Sequence, residues 1–266
     1  MMFKFNQHNK TEMNLLRHLV YGEGLIRHDA FLEIANKTLL SRYKAANLIC
    51  QKPDAEKGVY MITDKFKQCY KSQIEPHHAF SGSGSMKHSE ILHNIIKVLP
   101  RDVPITSGET LKRELEQLQK TAEYQQKERI LREEYREQRE ICRNEVRDAP
   151  NAMERYEALT RFNLYNRLYS MDKLCSAADM RVSLNREQVD QLLTTLFDRH
   201  LNEELTPREE RFVSHAIRTL QQIQATTETV TEVLIEGVSD SYGTIQIEQK
   251  LNTSSVLSTP IIFFSE

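Results

Sequence analysis

The spacing of apolar residues between positions 11 and 75 limits this chain more than any other feature, because it permits only short helices broken by turns and two brief extended runs. Residues 11–20 read as a first helix, with Thr11 as N-cap and Met13, Leu16, Leu19 and Val20 on one face; Gly22 and Gly24 end it. A second helix over 29–35 turns Phe31, Leu32 and Ala35 inward. A third follows over 39–48, where Leu40, Tyr43, Ala46 and Ile49 recur at helical spacing. Lys37, Arg42, Lys44 and Asn47 fall on or beside it, so its inside is apolar and its outside basic.

Residues 49–52 and 59–63 are extended runs around the turn cluster Pro53, Asp54, Ala55, Glu56, Lys57 and Gly58. Thr63 then caps a helix over 64–71 in which Phe66 and Tyr70 lie one turn apart. This order, with the run Gly58, Val59, Tyr60, Met61, Ile62, Thr63, Asp64, Lys65, resembles the winged helix-turn-helix superfamily over the N-terminal quarter of the chain. The resemblance implies a DNA-binding fold whose third helix enters the major groove while the two-stranded wing touches backbone or minor groove. On that reading Arg42, Lys44 and Asn47 are candidates for base or phosphate contacts, and Lys37, Lys52 and Lys57 for phosphate alone.

Charge points the same way. The whole chain carries a net charge of -2, yet up to Arg101 there are 15 Lys and Arg against 9 Asp and Glu, which favours a polyanion partner for that part. Its 266 residues suffice for two modest domains, and 28% charged residues suit extended, solvated helices. The four cysteines are scattered without a C-x-x-C pair, as expected of idle thiols in a reducing compartment. The first residues hold no apolar run of the signal-peptide kind, and no run approaches the roughly 18 apolar residues of a membrane span. The expectation is a cytoplasmic chain with no membrane partner.

Beyond residue 75, positions 76–105 read as a flexible linker through Ser81, Gly82, Ser83, Gly84 and Ser85, then a packing helix capped by Ser89 and carrying Ile91, Leu92, Ile95, Ile96 and Leu99. Residues 106–149 read as one long charged helix opened by Thr106 and Glu109. Its seam runs through Leu111, Leu115, Leu118 and Ala122, then Tyr124, Leu131, Tyr135 and Cys142, as in a coiled coil or a solvated connector. Residues 150–225 form a helical dimerisation or interaction region. There Ala158, Phe162, Tyr165 and Tyr169 line one helix, and residues 186–224 form a hairpin opened by an Asn185 and Gln188 capping box. Val189, Leu192, Leu193, Leu196, Phe197 and Leu201 give the hairpin an apolar face that needs another helix or subunit. Residues 226–266 are a β-prone or flexible tail, with strands at 233–236 and 244–248 and an apolar end at 256–264 that docks on a partner, forms an edge strand or is an ordinary poorly ordered terminus. The fold class read from the sequence is mainly α: an N-terminal winged helix-turn-helix, a long central helix and a C-terminal helical hairpin with a small β tail.

Chemistry is harder to find. Of His77, His78, His88 and His93 only the last two approach metal-ligand spacing, and five residues apart they miss a common helix face, so linker histidines without metal are expected. The stretch from Gly82 to Ser89 lacks the glycine before Lys87 that a phosphate loop needs. Pro53, Asp54, Glu56 and Lys57 carry letters of a nuclease motif but crowd into one turn, whereas metal-assisted cleavage draws carboxylates from separate elements. No catalytic residue and no cofactor emerges. The expectation is a non-enzymatic protein that binds double-stranded DNA: a transcription regulator, or a replication, partition or mobilisation accessory factor of a plasmid or phage. Its helical C-terminal part would form a homodimer or recruit another protein. The alternative is a scaffold protein in which the winged helix binds protein.

Overall fold

Asn9, two residues ahead of the expected cap, accepts the Glu12 N–H and starts α1 (Lys10–Tyr21), which Gly22 ends. The computed structural model describes residues 3–81, 84–226 and 229–265. After α1 comes β1 (Leu25–Arg27), a strand too short for its sequence to announce, then α2 (His28–Ile34) and α3 (Lys37–Ala45). The third helix thus begins and ends earlier than its apolar spacing suggests. Asn36 caps it by accepting the Leu39 N–H, and Asn47, at a φ of 53°, turns the chain out of it. Ile49 therefore belongs to β2 (Ile49–Gln51), which pairs antiparallel with β3 (Val59–Ile62). Thr63 caps α4 (Asp64–Gln73), as expected, and the small sheet has the order β1-β3-β2. Leu15, Leu16, Leu19, Phe31, Tyr43 and Phe66 centre the core these elements share.

The segment expected to be a flexible linker is packed instead. His78 and Ala79 are buried and Phe80 lies on the same core; Gly82 and Ser83 fall outside the described residues. Ser85, not Ser89, caps α5 (Met86–Val98), and Ser89 is buried. The long helix expected over 106–149 is three elements: β4 (Ile105–Ser107), α6 (Gly108–Leu118) and α7 (Ala122–Asp148). Thr121 makes the second break, its hydroxyl donating to the Leu118 carbonyl at 2.7 Å while accepting the Tyr124 N–H. Residues 149–151 then lead into α8 (Ala152–Ser170), which folds back on α7 as a hairpin. The partner of the charged helix is in its own chain: Tyr135 packs with Leu168 and Leu174, whereas Leu118 is exposed.

Six elements follow that local spacing reads unevenly. β5 (Met180–Leu184) was not anticipated, although Met180, Val182 and Leu184 alternate inward. The hairpin of α9 (Arg186–Asn202) and α10 (Pro207–Thr226) forms with the expected Asn185 and Gln188 capping box. β6 (Thr231–Val238) is a strand as expected, but residues 244–248 open a helix, α11 (Thr244–Leu257). Gln246 supplies its first-turn acceptor for the Gly243 N–H, Val256 is buried against the α7 region, and Ile245 packs there half-buried. β7 (Ile261–Ser265) closes the chain, so the apolar end is a strand of the sheet β4-β5-β6-β7.

Two compact units interleave along the sequence, in place of the serial segments read from it. Unit 1 comprises Met1–Leu111, Asp179–Asp240 and Ile262–Glu266; unit 2 comprises Lys112–Ala178 and Ser241–Ile261. In unit 1 the α9–α10 hairpin buries its face on the chain's own sheet, with Leu192, Leu196 and Leu220 in one cluster with Val182, Ile235 and the α5 residues Ile91 and Ile95. Phe197 and Leu201, expected on that face, are exposed. No described helix is long and apolar enough to cross a membrane. Leu192→Ala should cost about 2–5 kcal/mol of unit 1 stability, read as a lower urea midpoint at unchanged solution mass. A changed mass at unchanged stability would make that face a subunit contact instead.

Candidate nucleic-acid interface

α3 is anchored from below by Leu39, Leu40 and Tyr43, and Lys37, Thr38, Ser41, Lys44 and Ala45 remain exposed. Lys37, Thr38, Ser41 and Lys44 make that surface polar and sterically open. The turn between β2 and β3 adds the exposed Lys57.

Arg42 does not join that surface as its sequence position suggests. Its Nη1 lies 3.1 Å from a carboxylate oxygen of Glu12, its Nη2 donates to the Lys4 carbonyl at 2.7 Å, and its guanidinium covers the Phe3 ring at 4.5 Å. Glu12 is wholly buried on α1 and also accepts the Tyr43 hydroxyl at 3.1 Å. Burial, followed by the Glu12 charge, pushes the Tyr43 hydroxyl well above its ordinary range. Arg42 is thus the counter-ion of a buried carboxylate, and removing it would leave that charge unpaired, at a cost on the order of 3 kcal/mol. Lys44 donates to the Tyr60 hydroxyl at 2.7 Å and sits 4.2 Å above its ring. An ammonium has three donors, so Lys44 keeps capacity for a phosphate. Lys52 is half-buried, with Nζ 3.5 Å from the Gly84 carbonyl, while Lys37, Asn47 and Lys57 are exposed. Of the six residues singled out from sequence, Arg42 is tied to buried Glu12 although its side chain is 41% exposed, Lys52 is half-buried, and the other four are open to solvent.

The histidines read as linker residues are largely structural. His93 on α5 donates from Nε2 to the Leu25 carbonyl at 2.7 Å, which leaves its Nδ1 as the acceptor for His18 Nδ1 at 3.1 Å. The pair is neutral: burial, then the His93 charge, holds His18 down to about 3, and burial lowers His93 as well. His88, one turn earlier, does the opposite. Its Nε2 is 3.2 Å from Asp179 and 3.7 Å from Glu23, and the Asp179 hydrogen bond leads the effects that raise it to about 9.

That cluster gathers carboxylates from separate elements, which the sequence did not reveal. Glu236 on β6 accepts the Asp179 N–H at 3.0 Å, and Asp179 accepts the Gly237 N–H at 2.8 Å. Burial raises the Glu23 carboxyl, against the pull of His88. The arrangement holds a protonated imidazole among three acids. Among the described residues no group of three or more His, Cys, Asp or Glu is arranged to hold a metal ion. The alternation of β5 was the one signal that could have located Asp179 at a strand start.

Comparison with family models, with curated proteins and with solved structures finds no match.

The two histidine sites set opposite pH limits. His88 has a folded pKa of about 9, above its unfolded 6.5, so its contribution is complete below about 6.5 and is lost as pH rises through 9. His18 is held to about 3, below its unfolded 6.5, so its contribution is present above about 6.5 and is lost as pH falls toward 3. Urea midpoints measured across pH should peak near 6.5. His88→Gln should flatten the alkaline limb and His18→Gln the acid limb; an alkaline limb unchanged by His88→Gln would refute the ion pair.

Proposed function

We propose that the N-terminal part of unit 1 is a winged helix that binds double-stranded DNA, with α3 in the major groove and the β2–β3 turn on the backbone or in the minor groove. The observation that carries the reading is the exposed face of α3, where Lys37, Thr38, Ser41 and Lys44 are presented while Leu39, Leu40 and Tyr43 hold the opposite side rigid. The element order α1-β1-α2-α3-β2-β3-α4 and the sheet order β1-β3-β2 support it. So does the surplus of Lys and Arg before residue 102. Lys37, Lys44 and Lys57 contact phosphate, and Thr38, Ser41 and Asn47 are the short polar side chains available to base edges. Arg42 positions α3 through Glu12 and is not itself a DNA contact. A chain of this kind acts as a transcription regulator or as a replication, partition or mobilisation accessory factor, without catalysis of its own.

A second reading, in which the protein is an interaction scaffold, is favoured by the α7–α8 hairpin. Met153 and Tyr156 on α8 are 74% and 72% exposed, and Leu159 continues the stripe one turn on. Under the first reading the same stripe takes a second copy or a protein partner, which α7 and α8, already paired with each other, leave it free to do.

Binding to random double-stranded DNA across a salt series separates the two. The native chain should bind with a steep salt dependence. Lys37→Ala with Lys57→Ala should reduce the slope of log affinity against log salt by about 2, and Ser41→Glu should weaken binding at unchanged thermal stability. No binding at low salt would remove the DNA reading and leave the scaffold. Tyr156→Glu, tested for solution mass, reports on the hairpin independently.

A further inference from the structure

A connected row of side chains runs from the last turn of α3 to the β2–β3 turn, and it carries an open donor. Lys44 donates from Nζ to the hydroxyl of buried Tyr60 at 2.7 Å. His28, the first residue of α2, places Nδ1 3.2 Å from the same oxygen, its ring in a T-shaped contact with the phenol at 6.0 Å. The His28 N–H in turn donates to the Gly58 carbonyl at 2.8 Å, which sets the imidazole beside the residue that follows Lys57. Gln51 holds that turn in shape, donating to the Glu56 carbonyl at 2.9 Å and accepting the Gly58 N–H at 3.3 Å. Lys44, His28 and Lys57 therefore succeed one another along a single chain of contacts.

The hydrogen-bond roles follow from the donor set. An ammonium can only donate, so the Tyr60 oxygen accepts from Lys44, and its own hydrogen is free to reach His28 Nδ1. Accepting there puts the hydrogen of a neutral imidazole on Nε2, across the ring from Tyr60. His28 is exposed, and among the described residues its Nε2 has no hydrogen-bond partner. Tyr60 thus fixes the direction of an exposed donor before any ligand arrives, which lowers the entropy lost on binding. The neighbouring Asp29 lines a cleft against α5, where Arg27 and Lys97 offset its charge. Donors spaced along a surface between two ammonium groups match the oxygens of a phosphodiester chain, each of which carries only a share of one charge.

We propose that His28 is a further contact to DNA, donating from Nε2 to a backbone phosphate between those held by Lys44 and Lys57. The inference deepens the DNA-binding reading and rests on it.

Binding of the full chain to random double-stranded DNA at one low salt concentration, compared among variants at His28, tests it. His28→Ala should weaken binding by about tenfold, as expected for a lost hydrogen bond to a charged acceptor. Its melting temperature should stay close to native, because the residue is exposed. Two amides separate contact from support. Asparagine places its amide where Nδ1 lies and keeps the Tyr60 bond, whereas glutamine reaches the position of Nε2. His28→Gln should therefore retain most of the native affinity, and His28→Asn should bind as weakly as His28→Ala. The reverse order, with His28→Asn near native and His28→Gln weak, would overturn the proposal and leave the imidazole a support for Tyr60. Undiminished binding by His28→Ala would overturn it while the DNA reading stands. No binding by the native chain would overturn both.

Discussion

Helix α5 is buried on both sides, and unit 1 depends on that double burial. One side places Ile91, Leu92, Ile95 and Ile96 among the sheet and the α9–α10 hairpin. The other side sets His93 against His18 of α1 and the Leu25 carbonyl. A helix with two faces occupied has little freedom to rotate or slide, because either motion exposes hydrocarbon or strands a buried imidazole. Two glycines permit the approach. A Cβ at Gly22 would lie 2.5 Å from the His93 ring, and one at Gly237 would lie 2.7 Å from Ile91. The His88 ion pair sits on the same helix, so the positions of Glu23, Asp179 and Glu236 are set by that packing as much as by their mutual charge.

A buried carboxylate shapes the candidate interface. Glu12 has no access to solvent and takes Arg42 and the Tyr43 hydroxyl as partners, which pins α3 to α1. Arg42 and Lys44 look equivalent in sequence, two basic residues on the outer side of one helix. They differ because Glu12 approaches one of them and the Tyr60 ring the other. An ion pair with one buried member resists rupture far more than a surface pair, so an arginine bound in this way is not available to a ligand at little cost. The exposed face of α3 is left mainly to lysines and short polar side chains.

The helical segments were legible wherever a signal is local. A capping residue lies within three positions of the N–H it satisfies, and an amphipathic face repeats within one turn, so Thr63, Asn185 and Gln188 could be read directly. The same locality misled where two local signals compete. Thr121 breaks a run whose charge pairs favour continuity, and the Thr, Ile and Gln of 244–248 have strand character but open a helix that the core of unit 2 buries. β1, β4 and β5 went unread because a strand of three to five residues is defined by its partner, and here the partners of β4 and β5 lie across long insertions.

By itself the sequence determined the mainly helical class, the positions of the strongest caps, the hairpin of α9 and α10, the two-stranded turn before α4 and the basic character of the N-terminal part. Each depends on residues a few positions apart. Only the tertiary structure decided that the chain interleaves into two units, that α7 pairs with α8, and that Arg42 serves Glu12. It also decided that Glu23, His88, Asp179 and Glu236 meet and that two nitrogens of Arg17 are buried without a partner. These outcomes turn on which distant segments come to share a buried volume. Burial multiplies the strength of a charge or an unmet donor many-fold, so the chemistry of this protein rests on contacts that no spacing along the chain encodes.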